Sequence, residues 1–274
     1  MKNNPIILAL ILLLVYGCAS VSITGRKQLM LVSDEEVLGL SKQSFNSYMK
    51  KAKISTNAAN NKTVSKVGRR IAHAVETFLR QNGKEADIKN FHWEFHLVQD
   101  PSANAFCMPG GKIVVNAGLL KIAETPDELA VVLGHEIAHA VAKHSAERIS
   151  QQIVAEYGGQ ILGAIMQEQS NTAKVLAQQV YGLGAQFGVM LPYSRINEYE
   201  ADHLGLIFAA MAGYDPGVAI EFWKKMAASG GGEGWEFAST HPSNANRIAK
   251  LKEIMPKALK YKKKTGAFRY ERQF

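Results

Sequence analysis

The 274-residue sequence predicts an α+β fold that is mostly helical, with a small β-sheet or hairpin beside a central helix. Apolar residues recur at helical spacing in several long stretches, whereas strand-like patterns occur only in the region of residues 91–116. Apolar residues make up 47% of the chain and charged residues 20%. This composition is sufficient for a packed core and excludes wholesale disorder.

The first seventeen residues form a separate segment by composition. Lys2 supplies a positive charge, residues 5–16 are almost entirely aliphatic, and Gly17 and Cys18 follow. About a dozen apolar residues are too few to span a bilayer of ~30 Å comfortably, whereas this arrangement is typical of a secretory signal. Because residues 15–18 resemble a bacterial lipobox, we expect a signal peptide over residues 1–17 and lipidation at Cys18. The alternatives are an uncleaved signal anchor, or cleavage without a lipid.

Two helices are predicted after an extended N-terminal segment. Residues 18–33 are expected to be extended, with Gly25 as a turn. Helical spacing of apolar residues then covers residues 34–53 and, after a polar stretch, residues 64–79. Gly83 is expected to end the second helix.

A hairpin is predicted next. Apolar and polar residues alternate over residues 91–97, which is typical of a half-buried strand. A Pro-Gly-Gly turn at residues 109–111 then leads into a second strand, residues 112–116. These segments supply the small β component of the fold.

A capped helix is predicted after the hairpin. Thr125 can cap its start, Pro126 suits the first helical position, and Glu128 completes a capping box. The pattern continues through His144. A further helix is expected from Ser194 to Met211.

Positive charge is concentrated at the C-terminal end. The net charge is +8, and residues 250–274 contain nine Lys and Arg against two Asp and Glu. The body of the chain is therefore near neutral, which argues against a nucleic-acid partner. We expect one continuous domain over residues 34–256, followed by a basic tail over residues 257–274. The last helix of the domain is marked by Ile248, Leu251 and Ile254.

The capped helix carries a metal-binding pattern. His135 and His139 are four residues apart, so both imidazoles lie on one helical face and can bind one ion. Glu136 lies beside them and is predicted to act as general base toward an attacking water. This pattern on a capped helix with an apolar back predicts one zinc ion per chain.

Zinc at a catalytic site usually has three protein ligands and one open position. The continuation H-x-x-G-x-x-H is absent after His139, so the third ligand must come from elsewhere. We predict Glu198 as that ligand and Asp202, four residues later, as the acceptor of a hydrogen bond from a ligating imidazole. Glu200 is expected to point away and to be solvated or paired. His144 is expected to lie outside the ligand set.

These motifs resemble a known family. Residues 134–139 and 194–202, together with residues 104–111, 118–120, 24–33 and 240–247, are similar to the HtpX-like and CAAX-prenyl-protease-like zinc metallopeptidases. The narrower resemblance is to soluble bacterial BepA/LoiP-type periplasmic members. It implies a gluzincin-like core and the proteolysis of unfolded proteins. We expect no helical-repeat domain after the peptidase motifs, which would be a departure from the family members that carry one.

The substrate is expected to lie extended along a strand edge, where backbone pairing gives affinity with little sequence preference. The predicted edge is the strand Lys112, Ile113, Val114, Val115 and Asn116. His241 is a further candidate catalytic residue. It either stabilises the oxyanion, or occupies the open zinc position and holds the enzyme inactive; an ordinary turn histidine is the alternative.

The sequence therefore predicts a zinc endopeptidase of the bacterial cell envelope, lipid-anchored to the outer membrane and facing the periplasm. Its expected substrates are unfolded or misassembled envelope proteins, and contact with the outer-membrane assembly machinery is an expected partnership. Two alternatives remain open: a non-proteolytic periplasmic chaperone or assembly factor for outer-membrane proteins, and a zinc amidase that acts on the cell wall.

Overall fold

The structure is a computed structural model that describes residues 18–21, 24–154, 194–228, 241 and 245–265. The predicted signal peptide, residues 1–17, lies outside these ranges, as do residues 266–274 of the predicted tail. Among the described residues, none of the helices combines the length and the apolar character needed to cross a membrane.

The fold is mostly helical with a small sheet, as predicted. The strands are β1 (Cys18–Ser20), β2 (Lys27–Leu29), β3 (Glu94–Val98), β4 (Ala105–Met108) and β5 (Lys112–Asn116). The helices are α1 (Asp34–Met49), α2 (Ala58–Gln81), α3 (Glu85–Ile88), α4 (Pro126–Val141), α5 (residues 144–154), α6 (Arg195–Met211), α7 (Ala219–Ala228) and α8 (Ala245–Thr265). Short 3-10 helices span Ala117–Lys121 and Pro216–Val218.

The helix starts follow from capping residues in the sequence. Ser33 caps α1 and Thr125 caps α4, each within a complete capping box, and Ser194 accepts a hydrogen bond from the backbone of α6. The predicted starts of these helices are confirmed. The predicted end of α1 at Lys53 is wrong, because the helix stops at Met49 and Lys53 instead offers its carbonyl to Gln99 beyond β3.

The strand predicted as an exposed edge is in fact the centre of its sheet. The order is β3-β5-β4, with β3 parallel and β4 antiparallel to β5. Both sides of Lys112–Asn116 are therefore paired, and Ile113, Val114 and Val115 are fully buried. The prediction that this strand offers a free edge to substrate is wrong. The outer strand next to the helix that carries His135 and His139 is β4, which packs against α4.

The helix that carries the two histidines is shorter than predicted. It ends at Val141, and Lys143 adopts the left-handed conformation with φ 58° before α5 begins at His144. Lys143 Nζ lies 2.6 Å from Asp34 and 3.5 Å from Asp87, so this strained residue is held from two other helices. The break turns His144 back toward α4.

The last helix crosses the predicted boundary of the basic tail. It continues through Pro256 to Thr265, with Met255 and Ala258 buried in the core. Lys262 Nζ also lies 3.1 Å from Asp215. Positive charge alone suggested a solvated extension from residue 257, but the apolar spacing of the helix persists, so residues 257–262 belong to the packed domain.

The helices α4 and α6 touch through their backbones. A Cβ atom added to Gly134 would lie 2.6 Å from the carbonyl oxygen of Gly205, a distance that real Cβ atoms essentially never show. No larger residue fits at this contact without movement of a helix. The contact places His135 directly opposite the middle of α6.

Candidate metal centre

Four buried side chains converge where α4 faces α6. One potential ligand atom from each of His135, His139, Glu198 and His241 lies within 4.8 Å of the other three. None of these residues is more than 2% exposed. The structure thus brings together the three predicted zinc ligands and the additional candidate His241.

The spacing of these atoms fits a tetrahedral zinc site. Zinc lies about 2.0–2.1 Å from histidine nitrogens and carboxylate oxygens, so neighbouring ligand atoms are about 3.3 Å apart. His135 Nε2 lies 3.1 Å from His139 Nε2 and 3.4 Å from Glu198 Oε2. His139 Nε2 lies 3.5 Å from Glu198 Oε1. The residues present therefore suit a bound divalent metal ion.

A carboxylate fixes the orientation of His135. Its Nδ1 lies 3.0 Å from Asp202 Oδ1, so the Nδ1 proton is donated to the carboxylate and the Nε2 lone pair faces the centre. Arg247 donates to both oxygens of Asp202 at 2.7 Å and stacks over Trp223 at 3.7 Å from the ring centroid. The structure places Asp202 within hydrogen-bond distance of a candidate ligand imidazole, the position that the sequence analysis predicted for it. Arg247 is 1% exposed, and its role was not predicted.

A different set of groups backs His139. Its Nδ1 lies 2.9 Å from His144 Nδ1, and His144 Nε2 lies 2.9 Å from Glu200 Oε2. Glu200 is 5% exposed and also accepts a hydrogen bond from Arg26. The sequence predicted that Glu200 is either solvated or paired. The structure shows it paired with His144 and Arg26, so the solvated alternative is wrong. The break at Lys143 makes this contact possible, since it returns the chain to α4.

The electrostatics of the cluster favour a cation at its centre. Burial opposes ionisation of Glu198, but the neighbouring His241 and His135 outweigh it and hold the pKa of Glu198 below its usual value. Burial lowers the pKa of His139 well below its ordinary value, so this imidazole is neutral. His135 Nε2 lies 3.1 Å from His139 Nε2 and beside the Glu198 carboxylate, so a positive ion between these atoms would stabilise the arrangement.

Glu136 is placed as a proton acceptor. Its Oε1 is buried and has no hydrogen-bond partner among the described residues, although His241 Nε2 lies 3.5 Å away. Burial raises the pKa of Glu136 to about 7, whereas His241 and the backbone N–H of Cys107 act in the opposite direction. A carboxylate of this pKa accepts a proton more readily than an exposed one near neutral pH.

His241 fills the remaining side of the cluster. Its Nδ1 lies 3.2 Å from His135 Nε2 and 3.0 Å from Glu198 Oε1. These distances are similar to the 3.1–3.5 Å that separate the three predicted ligands. His203, the histidine of α6, is only half buried and does not belong to the ligand group.

The network around Glu200 was missed by sequence reasoning. Arg26 contacts both Glu147 and Glu200, and Asn197 donates to Glu147 at 2.9 Å. Residues 24–26 belong to the family resemblance, which implies no contact with Glu200, and none of the sequence motifs includes Glu147. Their separation along the chain hides the contacts, so no local spacing predicts them.

Comparison with known proteins agrees with the geometry. The model of Peptidase family M48 matches residues 59–255. The mitochondrial metalloendopeptidase OMA1 of Schizosaccharomyces pombe is 39% identical over 173 residues, which are 62% of this chain and 49% of that protein. The Bos taurus metalloendopeptidase OMA1 is 33% identical over 248 residues, 87% of this chain and 46% of that protein.

A bacterial relative is similar over a shorter region. The beta-barrel assembly-enhancing protease of Yersinia pestis is 32% identical over 140 residues, which are 50% of this chain and 28% of that protein. The chain thus spans about half, or less, of the length of the curated relatives it matches. The family match covers more than half of this chain and includes the α4 and α6 residues of the cluster, so the chain belongs to peptidase family M48.

Proposed function

We propose that this protein is a zinc-dependent endopeptidase that binds one zinc ion through His135, His139 and Glu198. The observation that carries the proposal is the buried group of ligand atoms with a hydrogen-bond-free Glu136 oxygen beside it. Zinc suits two imidazoles and a carboxylate at these spacings better than calcium or magnesium, which prefer oxygen ligands.

Each residue has a distinct part in peptide hydrolysis. When bound, zinc supplies Lewis acidity that activates water and polarises the scissile carbonyl. Glu136 takes the proton of the attacking water and then delivers it to the leaving amine. Asp202 and Arg247 keep His135 in the tautomer that binds the metal, and burial of the cluster excludes other water.

The substrate backbone is proposed to pair with β4 rather than β5. The N–H of Asn116 donates to the carbonyl of Asn104. In an antiparallel pair, residues alternate between those whose N–H points to the partner strand and those whose N–H points away from it. By this register, the N–H of Cys107 points away from β5. The same N–H lies toward Glu136. A peptide along this edge would bring its backbone to the general base, with main-chain pairing as the source of affinity.

His241 is proposed to restrain the enzyme. Its imidazole occupies the position that an attacking water needs, so the protein is inactive until a substrate or partner displaces this side chain. The distances of 3.0 Å to Glu198 and 3.2 Å to His135 support this role over that of an oxyanion donor.

His241→Ala is accordingly expected to raise basal cleavage of unfolded protein while zinc stays bound, because three ligands remain. Cleavage of a fluorescent casein and zinc content measure the two effects. His203→Ala, on the same helix as Glu198 but outside the cluster, is the matched control and should change neither. A fall of about a hundredfold would instead assign an oxyanion role. An unchanged rate would leave His241 as a turn residue.

The cellular setting is proposed to be the bacterial envelope, with a lipid at Cys18 attaching the protein to the outer membrane on its periplasmic side. The charged start, the apolar run and the Cys at residues 2–18 support this setting, as does the bacterial relative named for β-barrel assembly. The proposed substrates are unfolded or misassembled envelope proteins, and the outer-membrane assembly machinery is the proposed partner.

Cys18→Ser is expected to release the protein from the membrane fraction or to leave its precursor unprocessed. A lipid chain contributes about 0.8 kcal/mol per buried methylene, which basic residues alone do not match. Fractionation and the mass of the N-terminal peptide measure the outcome. Ser20→Ala, at an exposed position two residues away, is the control. Membrane attachment that survives Cys18→Ser with normal processing would contradict lipidation.

The function is tested by incubating the purified full-length protein with unfolded casein, with a folded control protein and with peptidoglycan. We expect cleavage of casein that a chelator abolishes and added zinc restores. Release of peptidoglycan fragments without peptide-bond cleavage would favour an amidase. Suppression of outer-membrane protein aggregation without cleavage, with or without zinc, would favour a chaperone.

A further inference from the structure

A line of polar contacts connects the N-terminal segment to His139. Arg26 donates through Nε to Glu200 Oε2 at 2.8 Å, and Glu200 accepts from His144, which contacts His139. The Arg26 guanidinium also pairs with both oxygens of Glu147, at 2.6 and 2.7 Å. The side chains of Glu147 and Glu200 are only 5% and 3% exposed, so both carboxylates interact mainly with protein groups and not with solvent.

The direction of each hydrogen bond follows from the metal site. If His139 Nε2 faces the metal, its Nδ1 carries the proton and donates to His144 Nδ1. His144 must then carry its own proton on Nε2, which donates to Glu200. Arg26 and the Thr24 hydroxyl complete the environment of that carboxylate. Every hydrogen-bond donor in this line has an acceptor, and only one tautomer of His139 and one of His144 is compatible with all of these hydrogen bonds.

The two ligand histidines are backed by the same kind of group. His135 donates to Asp202, which Arg247 clamps through two hydrogen bonds. His139 reaches Glu200 through one intervening imidazole, and Arg26 clamps that carboxylate. An arginine thus fixes each carboxylate, but the two arginines come from opposite ends of the described chain.

We propose that Arg26 is a positioning residue for the metal, acting through Glu200 and His144 on the orientation of His139. Docking of residues 24–26 onto α5 and α6 is then coupled to zinc affinity. The inference rests on the proposed metal site. Arg26 touches neither the metal ligands nor the substrate strand, and an arginine is needed because one planar fork must serve two buried carboxylates at once.

The test is the zinc affinity of the full-length protein, measured by competition with a chelator of known affinity. Arg26→Ala is expected to weaken zinc binding by about 10-fold, within the range for groups that orient metal ligands. Lys27→Ala removes a neighbouring exposed charge from the same segment and should leave the affinity unchanged. The visible absorption spectrum of the cobalt-substituted protein should shift in the Arg26 variant and stay fixed in the Lys27 variant.

A double-mutant cycle separates positioning from general stability. Glu200→Gln keeps the shape of the side chain, and Arg26→Ala should add little to its effect because both changes break the same line. Additive effects, or an unchanged affinity in a folded Arg26→Ala protein, would overturn the proposal. If that variant does not fold, Arg26→Lys replaces it, and parental affinity in the lysine variant would likewise overturn it. A parent protein that binds no zinc would instead refute the proposed function.

Discussion

Replacing Glu136 with glutamine is expected to leave zinc bound while peptide-bond cleavage falls by at least about a hundredfold, the usual scale for loss of a general base. Glutamine keeps the volume of the side chain and can still accept from Cys107, but it cannot take a proton from water. The structure gives the reason for a large effect: the Glu136 Oε1 atom is buried without a hydrogen-bond partner among the described residues.

Zinc content and casein cleavage of the Glu136→Gln protein, beside the parent, measure this result. Glu128→Gln is a matched control on the same helix, since Glu128 belongs to the capping box at the far end of α4. The control should lose some stability and keep its rate per folded molecule. Full activity in Glu136→Gln would rule out the proposed base.

Glu198→Ala is expected to lose most of the bound zinc, and with it all cleavage. Glu198 supplies the only negative charge among the four clustered ligand atoms, and both of its oxygens lie within 3.5 Å of an imidazole nitrogen of the cluster. Without it, neutral imidazoles must hold a divalent ion in a buried site, where an uncompensated charge is costly. Metal analysis after dialysis against a weak chelator measures the loss.

A control and a second variant sharpen the Glu198 result. Glu221→Ala removes an acidic side chain that is 76% exposed on α7, and it should bind zinc as the parent does. His241 is a candidate replacement ligand in Glu198→Ala, so the double variant Glu198→Ala/His241→Ala should lose any zinc that remains. Parental zinc content in both variants would show that Glu198 is not a ligand.

The parts of the fold predictable from sequence are those that local chemistry decides. The capping box at Thr125 and the spacing of His135 and His139 depend on residues within one helix. Glu198 and Asp202 were also found because they share one face of a single helix. Each of these signals spans fewer than about ten residues, so no tertiary contact is needed to interpret it.

The features that escaped prediction depend on distant pairing. A hairpin was expected at Lys112–Asn116, but the parallel pairing with β3 converts that strand from an edge into the centre. A hydrophobic run of this length is compatible with either an edge strand or a central strand, so the sequence pattern does not distinguish them. The break at Lys143 likewise has no local cause, since the residue is held by Asp34 and Asp87 from elsewhere in the chain.

The glycine contact between α4 and α6 has a mechanical consequence. His135, Glu136 and His139 stand on one helix and Glu198 on the other, and the two backbones already meet at Gly134 and Gly205. Neither helix can approach the other, and separating them would pull Glu198 away from the histidines. The two helices therefore hold His135, Glu136, His139 and Glu198 at a fixed spacing, as one rigid unit. In the proposed enzyme, we therefore expect a peptide to enter by displacement of the His241 side chain or along β4, with the spacing of α4 and α6 unchanged.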